Sequence, residues 1–139
     1  MRVSSKKFSQ IKKKDYQSFN SIITKKKLKD YISISGDKNP LHSNDLFAKK
    51  LNFKSNIVHG LLISSLYSKL IGVYLPGKYG VIGKISINFH NPLYINQKIH
   101  ISGQVVAKDY RFKIITVFSK IARKDTIIST AEILVNVKK

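Results

Sequence analysis

Cysteine is absent and acidic side chains are scarce: seven Asp and Glu stand against 26 Lys and Arg, a formal charge of +19 over 139 residues. Without thiols, disulfides, Cys-based zinc sites and thiol nucleophiles are all excluded. The four histidines show no HExxH-like spacing, so no metal site is predicted. No apolar run of about 7–15 residues follows the basic start MRVSSKKFSQIKKK, and a secretory signal needs one. The longest apolar region, Val58 to Leu75, is interrupted by Gly60, Ser64, Ser65, Ser68, Lys69 and Gly72, which makes it poor material for a membrane span. These absences predict a soluble, cytoplasmic protein that does not act at a membrane.

Arginine is also rare, three of the 26 cations, while Lys, Ile, Asn and Ser are abundant. Drift in AT-rich coding writes that bias, so the charge alone does not point to nucleic acid. A nucleic-acid module would carry Arg-rich strands with aromatics exposed for stacking. Here Phe19, Phe53, Phe89 and Phe118 sit inside apolar patterns. Ten cations against two acids in residues 1–30 read as a solvated basic arm over residues 1–14, or as a patch meeting an anionic substrate or an acidic carrier protein. Residues 15–139 then form a single domain, the size at which one hydrophobic core suffices.

Periodicity divides that domain in two. Residues 15–24 suggest a strand. Thr24 caps a helix in which Leu28, Tyr31, Ile32 and Ser35 recur at helical spacing, and Asn44 caps a second over NDLFAKKL. Residues 58–77 leave almost no polar face, as a buried helix requires. From residue 80 the period changes to two. GVIGKISINF sets Val81, Gly83, Ile85, Ile87 and Phe89 on one side, and KIHISGQVVA, FKIITVFSKIA and TIISTAEILVNV continue, the last two joined by an RKDT turn. Helices first and an antiparallel sheet afterwards is an α+β layout. The economical way to bury so apolar a helix is to wrap the sheet around it, which describes a hot-dog fold.

The segment SGDKNPLHSND, residues 35–45, places Asp37, Asn39 and His42 around Pro40. Proline pushes the residue before it to extended geometry, so Asp37 and His42 share a bent loop that aims both at one point. A carboxylate and an imidazole sharing one water make an acid–base pair, because histidine titrates near neutrality and a buried Asp can be tuned towards it. Asn39 is placed to hold that water. VHG, residues 58–60, opens the buried helix. Its free amides suit a developing oxyanion, and Gly60 lets a carbonyl approach closely. His90 and His100 read as loop and strand-face residues without partners.

G-D-x-N-P-x-H over residues 36–42, then Ala48, Phe53 and IVHG ending at Gly60, with LPG and FHNPLY downstream, resembles the MaoC-like dehydratase family, the (R)-specific enoyl-CoA hydratases. The resemblance covers residues 15–137. It implies reversible hydration of a trans-2-enoyl thioester to the (R)-3-hydroxyacyl thioester. By position, Asp37 and His42 would activate water, Asn39 would orient it and the Gly60 N–H would hold the thioester oxygen. His59 marks the motif at the helix entrance and is assigned with Ser68 and Ile71 to substrate binding, the last two as chain-length determinants. No cofactor is implied. CoA or a carrier phosphopantetheine arrives with the substrate, an acyl-CoA or acyl-carrier-protein thioester. The rival readings are a hot-dog thioesterase, which the lack of any carboxylate between Gly60 and Leu75 disfavours, a non-catalytic acyl-thioester binder, and the nucleic-acid module above. An open sheet edge predicts at least a homodimer.

Overall fold

The computed structural model describes all residues from Met1 to Lys139. After β1 (Tyr16–Ile22) the chain turns at once into α1 (Lys25–Ser35), where the Thr24 hydroxyl accepts the Lys27 N–H at 3.3 Å. That bond satisfies one of the free amides every helix start carries. Leu28 is buried from the inward stripe, and Tyr31 and Ile32 pack beside it. Gly36 ends the helix at φ 74°, its N–H returning to the Ile32 carbonyl. The left-handed region favours glycine at this step. The short α2 (Asp45–Lys50) is capped by Asn44, whose side chain accepts the Phe47 N–H at 2.9 Å.

The buried helix α3 (Gly60–Lys69) continues into a π-helical turn, Leu70–Tyr74. It is therefore shorter than the expected span of 58–77, because His59 is still extended where the chain enters and Leu75 is extended where it leaves. Strands β2 (Gly80–Phe89), β3 (Lys98–Asp109), β4 (Ile114–Arg123) and β5 (Thr126–Val137) complete one antiparallel sheet in the order β1-β3-β4-β5-β2. Its inner face, including Ile101, Val117, Ile121 and Ile133, closes with Leu62, Ile63, Tyr67, Leu70 and Ile71 into one core. This is the expected hot-dog arrangement, a sheet wrapped around a helix. Tyr67 is fully enclosed, donates its hydroxyl to Ser129 Oγ at 2.9 Å, and has its pKa pushed up to about 12 by burial. No helix is long and apolar enough to cross a membrane.

Two expectations change. In β2 the register shifts between Ile82 and Lys84, a bulge that leaves Gly83 unpaired. One inserted residue exchanges the faces of a strand. Ile82, Ile85 and Ile87 pair with the buried Val135, Ile133 and Ala131, while Val81 faces away opposite Asn136. The expected alternation through Val81 and Gly83 thus holds only beyond the bulge. Residues 1–14 are not a solvated arm. The Ser4 N–H donates to the Val73 carbonyl, the Phe8 N–H to that of Lys139, and Phe8 and Ile11 are buried in the core. Lys108 holds this segment down, donating through Nζ to the Phe8 and Ile11 carbonyls at 2.9 and 2.6 Å.

Candidate active site

The site is assembled from the loop leaving α1 and the chain entering α3. Pro40 begins a single 3₁₀ turn, Pro40–His42, rather than an irregular bend, since its missing N–H costs nothing at a first helical position. Asn39 caps that turn: its Oδ1 accepts the Leu41 N–H at 3.0 Å. Asp37 Oδ1 accepts the Asn39 N–H at 3.1 Å. The turn is then tied to the second segment. Ile57 N–H donates to the Leu41 carbonyl at 3.2 Å, Asn56 Nδ2 to the His42 carbonyl at 2.8 Å, and His42 Nδ1–H to the Ile57 carbonyl at 2.9 Å. A carbonyl only accepts, so Nδ1 carries a proton, and in the neutral ring Nε2 is the nitrogen with the lone pair.

His59 is the N-terminal flank of α3 and is 2% exposed. Its ring stacks on that of His42, centroids 3.7 Å apart and planes 24° from parallel, and meets Tyr31 edge-on at 4.9 Å. His59 Nε2–H donates to the Asp37 carbonyl at 3.2 Å and lies 3.9 Å from Asp37 Oδ2. Burial holds the His59 pKa below its ordinary value, His42 adding to the fall while Asp37 opposes it. Next in the chain, the N–H groups of Gly60, Leu61 and Leu62 have no hydrogen-bond acceptor in the protein. They point the positive end of α3 outward.

These elements open onto a cleft of about 520 Å³ that Asp37, His42, His59 and Gly60 line together. Phe53, Ile57, Leu61 and Leu93 supply an apolar wall, and Tyr31, Phe89, His90 and Asn91 complete the rim. Donor atoms of Asp37, His42 and His59 lie within 4.8 Å of one another. Stacking keeps the lone pairs of the two imidazoles in nearly parallel planes, so they do not converge on one ion. A water held by the Asp37 carboxylate and His42 Nε2 suits the arrangement better. The Asp37 side chain is half-exposed rather than buried.

Of the residues expected at the site, Asp37, His42, His59 and Gly60 come together. Asn39 does not line the cleft; its side-chain oxygen accepts the Leu41 N–H and holds the 3₁₀ turn. Ser68 and Ile71 also lie away from it. Only the first turn of α3 faces the cleft, and eight residues further along, about 12 Å, Ser68 reaches solvent while Ile71 is in the core. His90 and His100 do have partners, Thr130 Oγ1 at 2.8 Å and Asn20 Oδ1 at 2.9 Å. The contributions of Tyr31, Phe89 and Asn91 carried no local signal beyond FHNPLY. Tyr31 read as part of a helix stripe, and the 89–93 wall is set by a distant bond, Val58 N–H to the Leu93 carbonyl at 2.8 Å.

Comparison with known proteins agrees with this fold. Residues 7–125 match the MaoC like domain. The mitochondrial 3-hydroxyacyl-[acyl-carrier-protein] dehydratase of Arabidopsis thaliana is 33% identical over 99 residues, 70% of this chain and 58% of the relative. The (R)-specific enoyl-CoA hydratase of Aeromonas caviae is 36% identical over 77 residues, 55% of this chain and 58% of the relative. The chain thus spans little more than half the length of these curated relatives. Among solved structures, the (R)-hydratase from A. caviae involved in PHA biosynthesis superposes with a TM-score of 0.87 at 26% identity, covering 91% of this chain and 97% of that one.

Proposed function

Because the chain belongs to the MaoC-like domain family, we propose that it is a hydro-lyase, adding water to a trans-2-enoyl thioester and removing it from the (R)-3-hydroxyacyl thioester. One observation carries the reading: free amides at the start of α3 open into the same cleft as the lone pair of His42 and the carboxylate of Asp37. The thioester oxygen lies at the Gly60 N–H. One water sits between His42 Nε2 and Asp37. As its oxygen bonds to the β-carbon, this pair takes a proton, and the alkene electrons move to an enolate whose charge the amides stabilise. The pair then returns a proton to the α-carbon on the same face, which balances the addition of H₂O. The reverse sequence is the dehydration.

Apolar side chains of the cleft suit an acyl chain, and CoA or a carrier phosphopantetheine supplies the thioester. We also assign a second copy as partner. Strand β2 is a free sheet edge with Val81, Ile85 and Phe89 exposed, and Phe89 lines the cleft, so pairing there would cover apolar surface and wall the site. The decisive experiment offers purified protein a short and a medium enoyl-CoA and follows loss of the conjugated thioester absorbance. Asp37→Asn and His42→Ala should each lose about 10²–10⁴-fold in rate while remaining folded. Wild-type turnover in both variants would overturn the assignment.

A further inference from the structure

We propose that His59 is a positioning residue, holding Asp37 and His42 in register with the amides of α3 by donating Nε2–H to the Asp37 carbonyl and stacking on the His42 ring. The inference rests on the hydratase reading for its kinetic consequence, though its geometric part does not. The acid–base loop and the oxyanion amides belong to segments 22 residues apart, Asp37 and His59, and catalysis needs them aligned. His59 touches both Asp37 and His42 while its own backbone caps the helix.

Three features make it rigid enough for the task. The ring is enclosed, Tyr31 blocks it edge-on and His42 face-on, and its only hydrogen bond is the one to Asp37. Nδ1 is buried without any partner. An orphaned ring nitrogen is a cost that a leucine at this position would avoid, so the residue is not explained as core filling. Its Nδ1 lone pair also sits beside no donor, which leaves Nε2–H as the tautomer that makes a bond. The side chain contacts the machinery rather than the reacting water, which His42 Nε2 and Asp37 hold between them.

The two contacts separate by substitution. His59→Gln keeps a donor at the reach of Nε2 and loses the aromatic face; His59→Phe keeps the face and loses the donor. Each should lower kcat about tenfold with KM within about threefold, as expected for a small misplacement of catalytic groups. Because each contact acts through one partner, His42→Ala/His59→Gln should be about as slow as His42→Ala alone, and Asp37→Asn/His59→Phe about as slow as Asp37→Asn alone. Independent losses that multiply in the double variants, or a rise in KM in place of the fall in kcat, would overturn the proposal. Imidazole ¹⁵N NMR of the wild type reads the geometry without turnover: Nε2–H at His59 and Nδ1–H at His42 are expected, and Nδ1–H at His59 overturns the proposal. Wild type inactive on every enoyl thioester, yet showing those tautomers, would defeat the hydratase reading and leave the positioning geometry standing.

Discussion

Replacing Gly60 with alanine tests whether its amide receives the thioester oxygen, because the structure separates what the methyl does to stability from what it does to catalysis. The new Cβ would lie 2.9 Å from Phe89 Cε1 and 2.9 Å from Cζ, too close to coexist. What it meets is the far end of a side chain that is already 53% exposed, so the ring can swing outward. Fully exposing a Phe costs roughly 1.5–3 kcal/mol, and half of that is already forfeited, leaving about 1 kcal/mol. Alanine returns up to about 0.8–1.0 kcal/mol in helix propensity, less at a first helical position. Net stability should therefore stay within about 1 kcal/mol, which moves Tm by roughly 4 °C at most. Catalysis has no such compensation. The methyl stands beside the N–H where the carbonyl must approach, and a loss of about 100-fold in kcat/KM, about 2.7 kcal/mol in the transition state, is expected. Circular dichroism melts and enoyl-CoA hydration on the same preparation read the two effects. Gly60→Ala/Phe89→Ala should remain slow, since removing the ring leaves the methyl in place. Full activity in Gly60→Ala would refute the assignment of this amide, and recovery in the double variant would move the blame to the displaced ring.

Lys108→Met removes the charged donor from the Phe8 and Ile11 carbonyls and should lower unfolding free energy by about 1–2 kcal/mol, measured by the denaturation midpoint; an unchanged midpoint would mean that these two hydrogen bonds add nothing to stability. Since burial foremost holds His59 below its ordinary pKa of 6.5, the unfolded chain binds a proton there before the folded one does. With Tyr31, Asp37 and His42 as the facing groups, the stability His59 contributes is complete above pH 6.5 and is lost as pH falls below it. His59→Gln should flatten that slope in denaturant titrations between about pH 7 and 5. Val81→Lys places a charge on the exposed β2 edge and should shift sedimentation towards monomer; wild type that is monomeric at every concentration refutes the edge pairing.

Local signals read correctly where the physics is local. Thr24 and Asn44 were legible as caps because a side-chain oxygen three residues before a free amide needs nothing else from the fold. The inner face of β3, through Ile99, Ile101, Gly103 and Val105, followed from alternation alone. The face of β2 did not, because a bulge at Gly83 is a property of pairing with β5, and a single sequence shows no register. The same reason hid the cross-strand partner of His100, Asn20, which faces it only through β1–β3 pairing. Residues 1–14 misled in a different way. Two apolar residues, Phe8 and Ile11, decide where that segment lies, but they stand among lysines whose charge dominated the reading.

The division between legible and hidden parts of the site follows from how it is cross-linked. Asp37, His42, His59 and Gly60 come from two short segments joined by their own reciprocal bonds: Ile57 to Leu41, His42 to Ile57, Asn56 to His42 and His59 to Asp37. Spacing along the chain largely specifies such a unit, and so its four members are legible in the sequence. What encloses them is different. Phe89, His90 and Asn91 reach the cleft only because β2 lies beside β5 at the sheet edge and its exit is anchored by Val58 to Leu93, His90 N–H to Ile128 and Asn91 Nδ2 to Ile127. The chemistry is therefore held by a local unit and the enclosure by the global fold. Substitutions in the first set should change rate at constant KM, while those in the wall should change which acyl chains are accepted. The exposed ring of Phe89 touches both sets at Gly60, and there the two kinds of effect should mix.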